Sequence, residues 1–396
     1  MTRNDEQNNE PGFADTTGNP SPIGTTASTE VARWADVAMY SSKPIRAQEG
    51  PKVTLLSAPC DPLGLIAAQA ATYEGKFYNE LSEITDDERR RFLADMQLTK
   101  LAMPLESVLF NFSIEGVTRG FTHQMVRQRT AAYAQESQRF AVVEDSFTDR
   151  VALPPELMGA QPLSYWQAEA VAHVDSSWGH FPRDADRDQE ITFCRDSLVE
   201  QYGTPEDKLR YRWEKSVLAT QENYKYLVDN GLAAESARGL LPTNITTRIK
   251  YNTSLRALLD HAGNRLCTQA QFEWRGVFFQ IAQAIREYGK TVTYQSVVKS
   301  GPDAGSMGTR NSWWQFEEIS KLFKPVCYQV GHCPMKASFD RKCSIRDRVD
   351  TFAANNIPSS CWEQPLFKPK GDGAEMIEIG KPIFPAEWLL NPAAAR

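Results

Sequence analysis

The densest concentration of chemically useful side chains is the run Gln124-Met-Val-Arg-Gln-Arg-Thr-Ala-Ala-Tyr-Ala-Gln-Glu-Ser-Gln-Arg-Phe140. Three arginines, Arg127, Arg129 and Arg139, stand among Gln124, Tyr133, Gln135 and Ser137. Guanidinium forks grip phosphate oxygens two at a time, and amides and hydroxyls match the polar edges of a planar heterocycle. These residue types suit a nucleotide. They suit a solvated helix face as well, and composition alone leaves both readings open.

The whole chain narrows the choice. Its 396 residues allow two or three domains at roughly 150 residues each. The formal net charge is -6, from 44 Lys and Arg against 50 Asp and Glu. That balance argues against a protein that coats DNA or RNA, which needs basic residues in excess. It leaves room for a small anionic substrate held by two or three arginines. There is no 18-residue apolar run and no charged segment followed by an apolar one at the start, so neither a membrane span nor a signal peptide is expected. Seven cysteines are odd in number and sparse, which fits reduced thiols in a cytoplasm.

The elements that must position these side chains are partly legible. Residues 1–50 are expected to be a disordered or linker segment, because the first thirty are polar, Gly/Pro-rich and nearly free of large hydrophobes. Residues 51–350 read as one folded domain, which the resemblance described below makes a catalytic one. Within it, Lys52–Ser57 has strand character, and a helix starts at Pro59-Cys-Asp-Pro62. Another helix starts at Asp86 with an acidic first turn. Ser107–Glu115 alternates as a strand, and Gly116–Val126 reads as a helix. Residues 205–231 and 254–288 carry long 3.6-residue periodicity. Residues 157–204 are expected to be a helical insertion. Residues 351–396, with six prolines, form a loop-rich extension.

Order and spacing add more than composition does. Arg127-Gln128-Arg129, seven residues and then Ser137 resembles the Arg-His-Arg…Ser signature of the flavin-dependent thymidylate synthases. Leu105-Glu-Ser-Val-Leu-Phe-Asn-Phe-Ser-Ile-Glu-Gly116 is similar to a strand motif of that family, and Ser137-Gln-Arg-Phe140 to its Ser-Gln-Arg-Tyr ending. Asn230 to Pro242, with Glu235 and Arg238, and Arg256 to Arg275 resemble two further segments. The matches are collinear over about residues 52–345.

The resemblance implies an α/β fold of the α+β type, with a central antiparallel sheet and long helices, assembled as a homotetramer. It implies FAD between subunits and a reaction that makes dTMP from dUMP, with methylenetetrahydrofolate as one-carbon donor and NADPH as electron source. Small molecules are then the partners, with no nucleic-acid polymer and no membrane. By the same resemblance Gln124, Gln135, Ser137, Arg139, Arg238 and Arg265 match nucleotide-binding positions, Arg265 and Ser137 being the catalytic candidates. Glu106, Arg127, Gln128, Arg129, Thr130, Arg256 and Asp260 match flavin-holding positions. Arg265 beside the pyrimidine suits stabilisation of negative charge developing on its oxygen. No Gly-x-Gly-x-x-Gly follows a strand, so a Rossmann site is not expected.

Three positions depart from the family pattern. Gln128 replaces the central His of the signature, Ser107 replaces another His, and Asp260 stands where Asn or His is usual. Gln keeps a hydrogen-bonding tip but carries no charge. Asp260 is placed either to repel a phosphate or to pair with Arg256 four residues earlier. The departures leave open a related methyl or hydroxymethyl transfer to dUMP or dCMP, and a nucleotide-binding relative without catalysis. Separately, Cys327, His332, Cys333 and Cys343 offer zinc-type donors, but adjacent His332 and Cys333 and the absence of Cys-x-x-Cys spacing weigh against it, and no metal is expected. Cys267 reads as a packing thiol.

Overall fold

In the computed structural model, described residues are 51–99, 101–139, 150–177, 184–267, 270–298, 304–330, 332–334, 366–370 and 373–377. The polar segment 1–50 and most of 351–396 lie outside them. Strand β1 (Lys52–Ser57) leads through helices α1 (Pro62–Ala71) and α2 (Asp86–Thr99) to β2 (Leu109–Thr118), the short α3 (Arg119–Met125) and β3 (Ala131–Gln135). Three long helices follow, α4 (Leu163–Ser177), α5 (Asp184–Tyr202) and α6 (Pro205–Asp229), and then a single turn, α7 (Ala234–Ala237). Strand β4 (Thr246–Ser254) feeds α8 (Leu255–Arg265) and α9 (Phe272–Thr291). The hairpin β5 (Thr293–Val297) and β6 (Met307–Asn311), helix α10 (Trp313–Ser320) and the short α11 (Val326–Val330) complete the body.

The four-stranded sheet has order β1-β2-β4-β3 and every pairing is antiparallel. Period-2 alternation decides its faces. Val53, Leu55, Phe110, Phe112, Ile114, Ile249 and Tyr251 turn inward, while Arg248, Lys250 and Asn252 between them stay exposed. The inner face meets the apolar stripe of α9 (Trp274, Val277, Phe278, Ile281 and Ile285), all essentially buried, at the spacing expected of one helix face.

Two local features place α3 at the sheet end. Gly116 sits at φ 72, inside a register shift between Glu115 and Val117 on β2. This is a left-handed conformation that glycine adopts without a Cβ penalty. The strand therefore continues to Thr118, whose side chain caps α3 by accepting from the Phe121 N–H at 3.0 Å. The helix expected over Gly116–Val126 is accordingly shorter and starts three residues later.

The helix expected over 254–288 is two helices, α8 and α9, and Arg265 is the last residue of α8. The predicted insertion is helical, as α4 and α5. With α6 these helices form small apolar groups of their own: Leu163, Trp166, Val199, Tyr211 and Leu218, then Ala170, Val174 and Ile191. Between them the buried Arg195 donates to the Tyr211 hydroxyl and to Gln167 Oε1, both at 2.7 Å. Of the C-terminal extension, the described part is a hairpin pairing Leu366–Lys370 with Gly373–Ile377.

Candidate nucleotide and cofactor site

The arginine-rich run starts on α3, turns, and returns as β3 at the sheet edge. Gln124 is the hub of a first group. Its Oε1 accepts from Trp274 Nε1 at 3.1 Å and from Arg265 Nη1 at 3.4 Å, and its Nε2 donates to Gln271 Oε1 at 2.8 Å. Gln271 Nε2 donates in turn to Glu273 Oε2 at 2.6 Å. Glu273 is buried and also accepts from the Thr118 amide (2.9 Å) and hydroxyl (2.6 Å). Burial pushes its carboxyl upward, against the hydrogen bonds from Thr118 and Gln271.

Arg265 lies 4.8 Å from the Trp274 ring centroid. Its buried Nε has no hydrogen-bond partner. Burial and the like charge of Arg127 hold its guanidinium below the usual range. A cation desolvated beside a second cation, with donors to spare, suits an electron-rich oxygen or an anion.

A second group gathers Arg139, Arg238 and Glu235. Glu235 lies 2.8 Å from Arg139 and 3.8 Å from Arg238, with all three side chains near half exposed. Exposed pairs of this kind contribute about 0–1 kcal/mol, so breaking them costs little. Ser137 Oγ accepts from the Arg139 amide at 3.2 Å. Gln135 donates to Thr122 Oγ1 at 2.7 Å, which ties β3 to α3.

The flavin-type residues form a third group at the start of α8. Arg256 pairs with Glu106 at 2.6 Å. The i, i+4 pair with Asp260 therefore does not form; Asp260 is exposed. Arg127, Arg129 and Thr130 are exposed, and neither arginine has an ion-pair partner among the described residues. Such a donor set fits the phosphates of a flavin dinucleotide.

Gln128 is held more firmly than its neighbours. Its Nε2 donates to the Ala257 carbonyl at 2.6 Å, and its Oε1 accepts from Tyr251 at 2.8 Å and Tyr133 at 3.4 Å. The two tyrosine rings stack at 5.4 Å, 6° apart. Tyr251 also lies 3.5 Å from Nδ1 of the buried His261. Burial, then the charge of Arg265, lowers His261 to about 3. Ser107 turns away to its own loop, donating to the Pro104 carbonyl at 2.7 Å.

Cys327 is half-buried on α11, Cys333 is half-buried and His332 is exposed. Cys343 lies outside the described residues. Among the described residues no three His, Cys, Asp or Glu side chains gather as a metal site. Cys267 is half-buried, and no helix is long and apolar enough to cross a membrane.

Sequence reasoning did not single out Gln271, Glu273, Trp274, Tyr251 or His261 as site residues. The strand that carries Tyr251 announces itself by alternation, with Thr247, Ile249, Tyr251 and Thr253 inward against Arg248, Lys250 and Asn252 outward. The Gln271–Glu273 pair has no local signal.

A family model described as thymidylate synthase complementing protein matches residues 54–288, a span that holds every residue of the three groups. The chain belongs to this family. A flavin-dependent thymidylate synthase of Pyrococcus furiosus is 26% identical over 299 residues, 75% of this chain and 95% of the relative. One from Nitratidesulfovibrio vulgaris is 29% identical over 234 residues, 57% of this chain and 79% of the relative. Among solved structures, flavin-dependent thymidylate synthase from Helicobacter pylori complexed with FAD and dUMP aligns at TM-score 0.37 and 16% identity, covering 59% of this chain and 93% of that one. A UMP/dUMP methylase from Streptomyces cacaoi aligns at TM-score 0.39 and 17% identity, covering 61% and 92%.

Proposed function

We propose that this chain is a flavin-dependent thymidylate synthase, converting dUMP to dTMP with methylenetetrahydrofolate as one-carbon donor, NADPH as reductant and FAD as cofactor. The observation that carries the reading is Arg265. It is a partly buried guanidinium with an unpartnered Nε, inside the span matched by the thymidylate synthase complementing family model.

The roles of the side chains extend the family resemblance to this chain, and the geometry supports them. Arg139 and Arg238 take the 5′-phosphate by exchanging Glu235 for it. Arg265 stands at the pyrimidine oxygen that gains negative charge as C5 becomes nucleophilic, where a preoriented cation shielded from water by Trp274 is most effective. Gln124 and Gln135 contact the nucleotide beside it. Arg127, Arg129 and Thr130 hold the flavin, with Arg256 and Glu106 opening their exposed pair to it. When bound, the flavin supplies the electrons that reduce the transferred carbon to a methyl group. No protein thiol is needed as nucleophile.

The nucleotide residues fall into two groups on one chain, which supports a site completed by a second copy in a homotetramer. The low and odd number of cysteines supports action in the cytoplasm.

The purified protein is expected to be yellow, to elute as a tetramer in light scattering, and to oxidise NADPH only with dUMP and methylenetetrahydrofolate present, yielding dTMP by mass spectrometry. A folded protein that binds no FAD refutes the reading. A product carrying hydroxymethyl redirects it.

A further inference from the structure

The hydrogen bonds around Gln124 form a directed chain, and its direction has a consequence for substrate choice. A carboxylate only accepts. Glu273 Oε2 therefore faces the Gln271 amide nitrogen, which leaves Gln271 Oε1 to face Gln124 and makes Gln124 the donor there. At the far end, an indole N–H and a guanidinium only donate, so the atom of Gln124 that meets Trp274 and Arg265 is its oxygen. Both ends impose the same orientation. Turning the Gln124 amide over would set two donors against its nitrogen and oxygen against oxygen at Gln271.

The orientation settles what the pocket offers a ligand. Gln124 Oε1 is occupied by two donors, while Nε2 keeps one hydrogen unused. Arg265 has only donors, and its Nε is unpartnered. The pair therefore presents hydrogen-bond donors and no acceptor.

We infer that Gln271 and Glu273 are positioning residues that lock Gln124 so that the pocket beside Arg265 is donor-only and selects a 4-oxo pyrimidine over a 4-amino one. A uracil C4 oxygen accepts from this edge. The exocyclic amino group of cytosine places a donor against donors and leaves buried polar groups unpaired, which is the arrangement that discriminates most strongly between near-isosteres. The inference rests on the nucleotide-binding part of the proposed function and not on the reaction.

The test is titration of the full-length, FAD-loaded protein with dUMP and with dCMP by calorimetry, without folate or NADPH. Wild type is expected to favour dUMP by more than about 100-fold. Gln271→Met leaves Gln124 held by Trp274 and Arg265 alone, with its Nε2 no longer anchored, and Glu273→Gln removes the anchoring carboxylate. Each is expected to reduce the dUMP/dCMP ratio at least about tenfold while near-wild-type circular dichroism shows that the variant folds. A general loosening of the site weakens both nucleotides and leaves the ratio intact. Equal binding of the two nucleotides by wild type, or a ratio unchanged in a folded Gln271→Met protein, overturns the inference. Preference for dUMP without any turnover would instead refute the proposed reaction and leave this inference standing.

Discussion

At the scale of single residues, the departures from the family signature prove to be structurally specific. Gln128 spans an acceptor, the Ala257 carbonyl, and a donor, the Tyr251 hydroxyl. A neutral imidazole also offers one donor and one acceptor and can bridge the same two partners. Gln128→His is therefore expected to stay within about 1 kcal/mol of wild type in urea unfolding at pH 8. Gln128→Leu strands both partners and is expected to cost about 1–3 kcal/mol.

His261 carries a second expectation. Its folded value near 3 lies below its ordinary 6.5, so between those pH values the unfolded chain binds the extra proton. Stability then falls as pH drops through that window. His261→Phe removes the titrating group, and the melting temperature of the variant should fall less than that of wild type between pH 7 and pH 5.

At the scale of elements, α6 is defined by its first turn. Thr204 accepts from the Asp207 amide at 3.1 Å, and Asp207 returns a bond to the Thr204 amide at 3.0 Å with Pro205 at the first helical position. This capping box is readable from Thr-Pro-Glu-Asp alone. Asp207 also accepts from the Gln161 amide at 2.6 Å, which fixes the approach to α4. Thr204→Ala is expected to cost about 1 kcal/mol by chemical denaturation. In contrast, neither β3 nor β4 is among the expected elements, although β4 alternates clearly. The boundary between β2 and α3 was misplaced because a single glycine in a left-handed conformation lets the strand run on.

At the scale of the whole molecule, one buried ion pair fastens the first helices to the β5–β6 hairpin. Arg89, fully buried, donates Nε to Asp61 Oδ1 at 3.0 Å and Nη2 to Oδ2 at 2.5 Å, and reaches Ser296 on β5 at 3.2 Å. Asp61 also caps α1 through the Gly64 amide at 2.9 Å. Removing one partner leaves the other charge buried and alone. Asp61→Ala is expected to destabilise by about 3–5 kcal/mol in equilibrium unfolding, with no direct loss of contacts in the arginine groups.

Sequence by itself determined the chemistry on offer: the arginines of the 124–140 run, Arg238, Arg256 and Arg265, the long helices, and the acidic balance that disfavours a polynucleotide. These follow from local periodicity and from residue types whose donors are fixed by covalent structure. Tertiary structure decided which of those donors remain free. It paired Arg256 with Glu106 rather than Asp260, placed Arg265 against Trp274, and set the polarity of Gln124 through Gln271 and Glu273. An amide has no preferred direction until a carboxylate at one end and obligate donors at the other impose one. Those partners meet Gln124 across about 150 residues of chain, a separation that no local pattern spans.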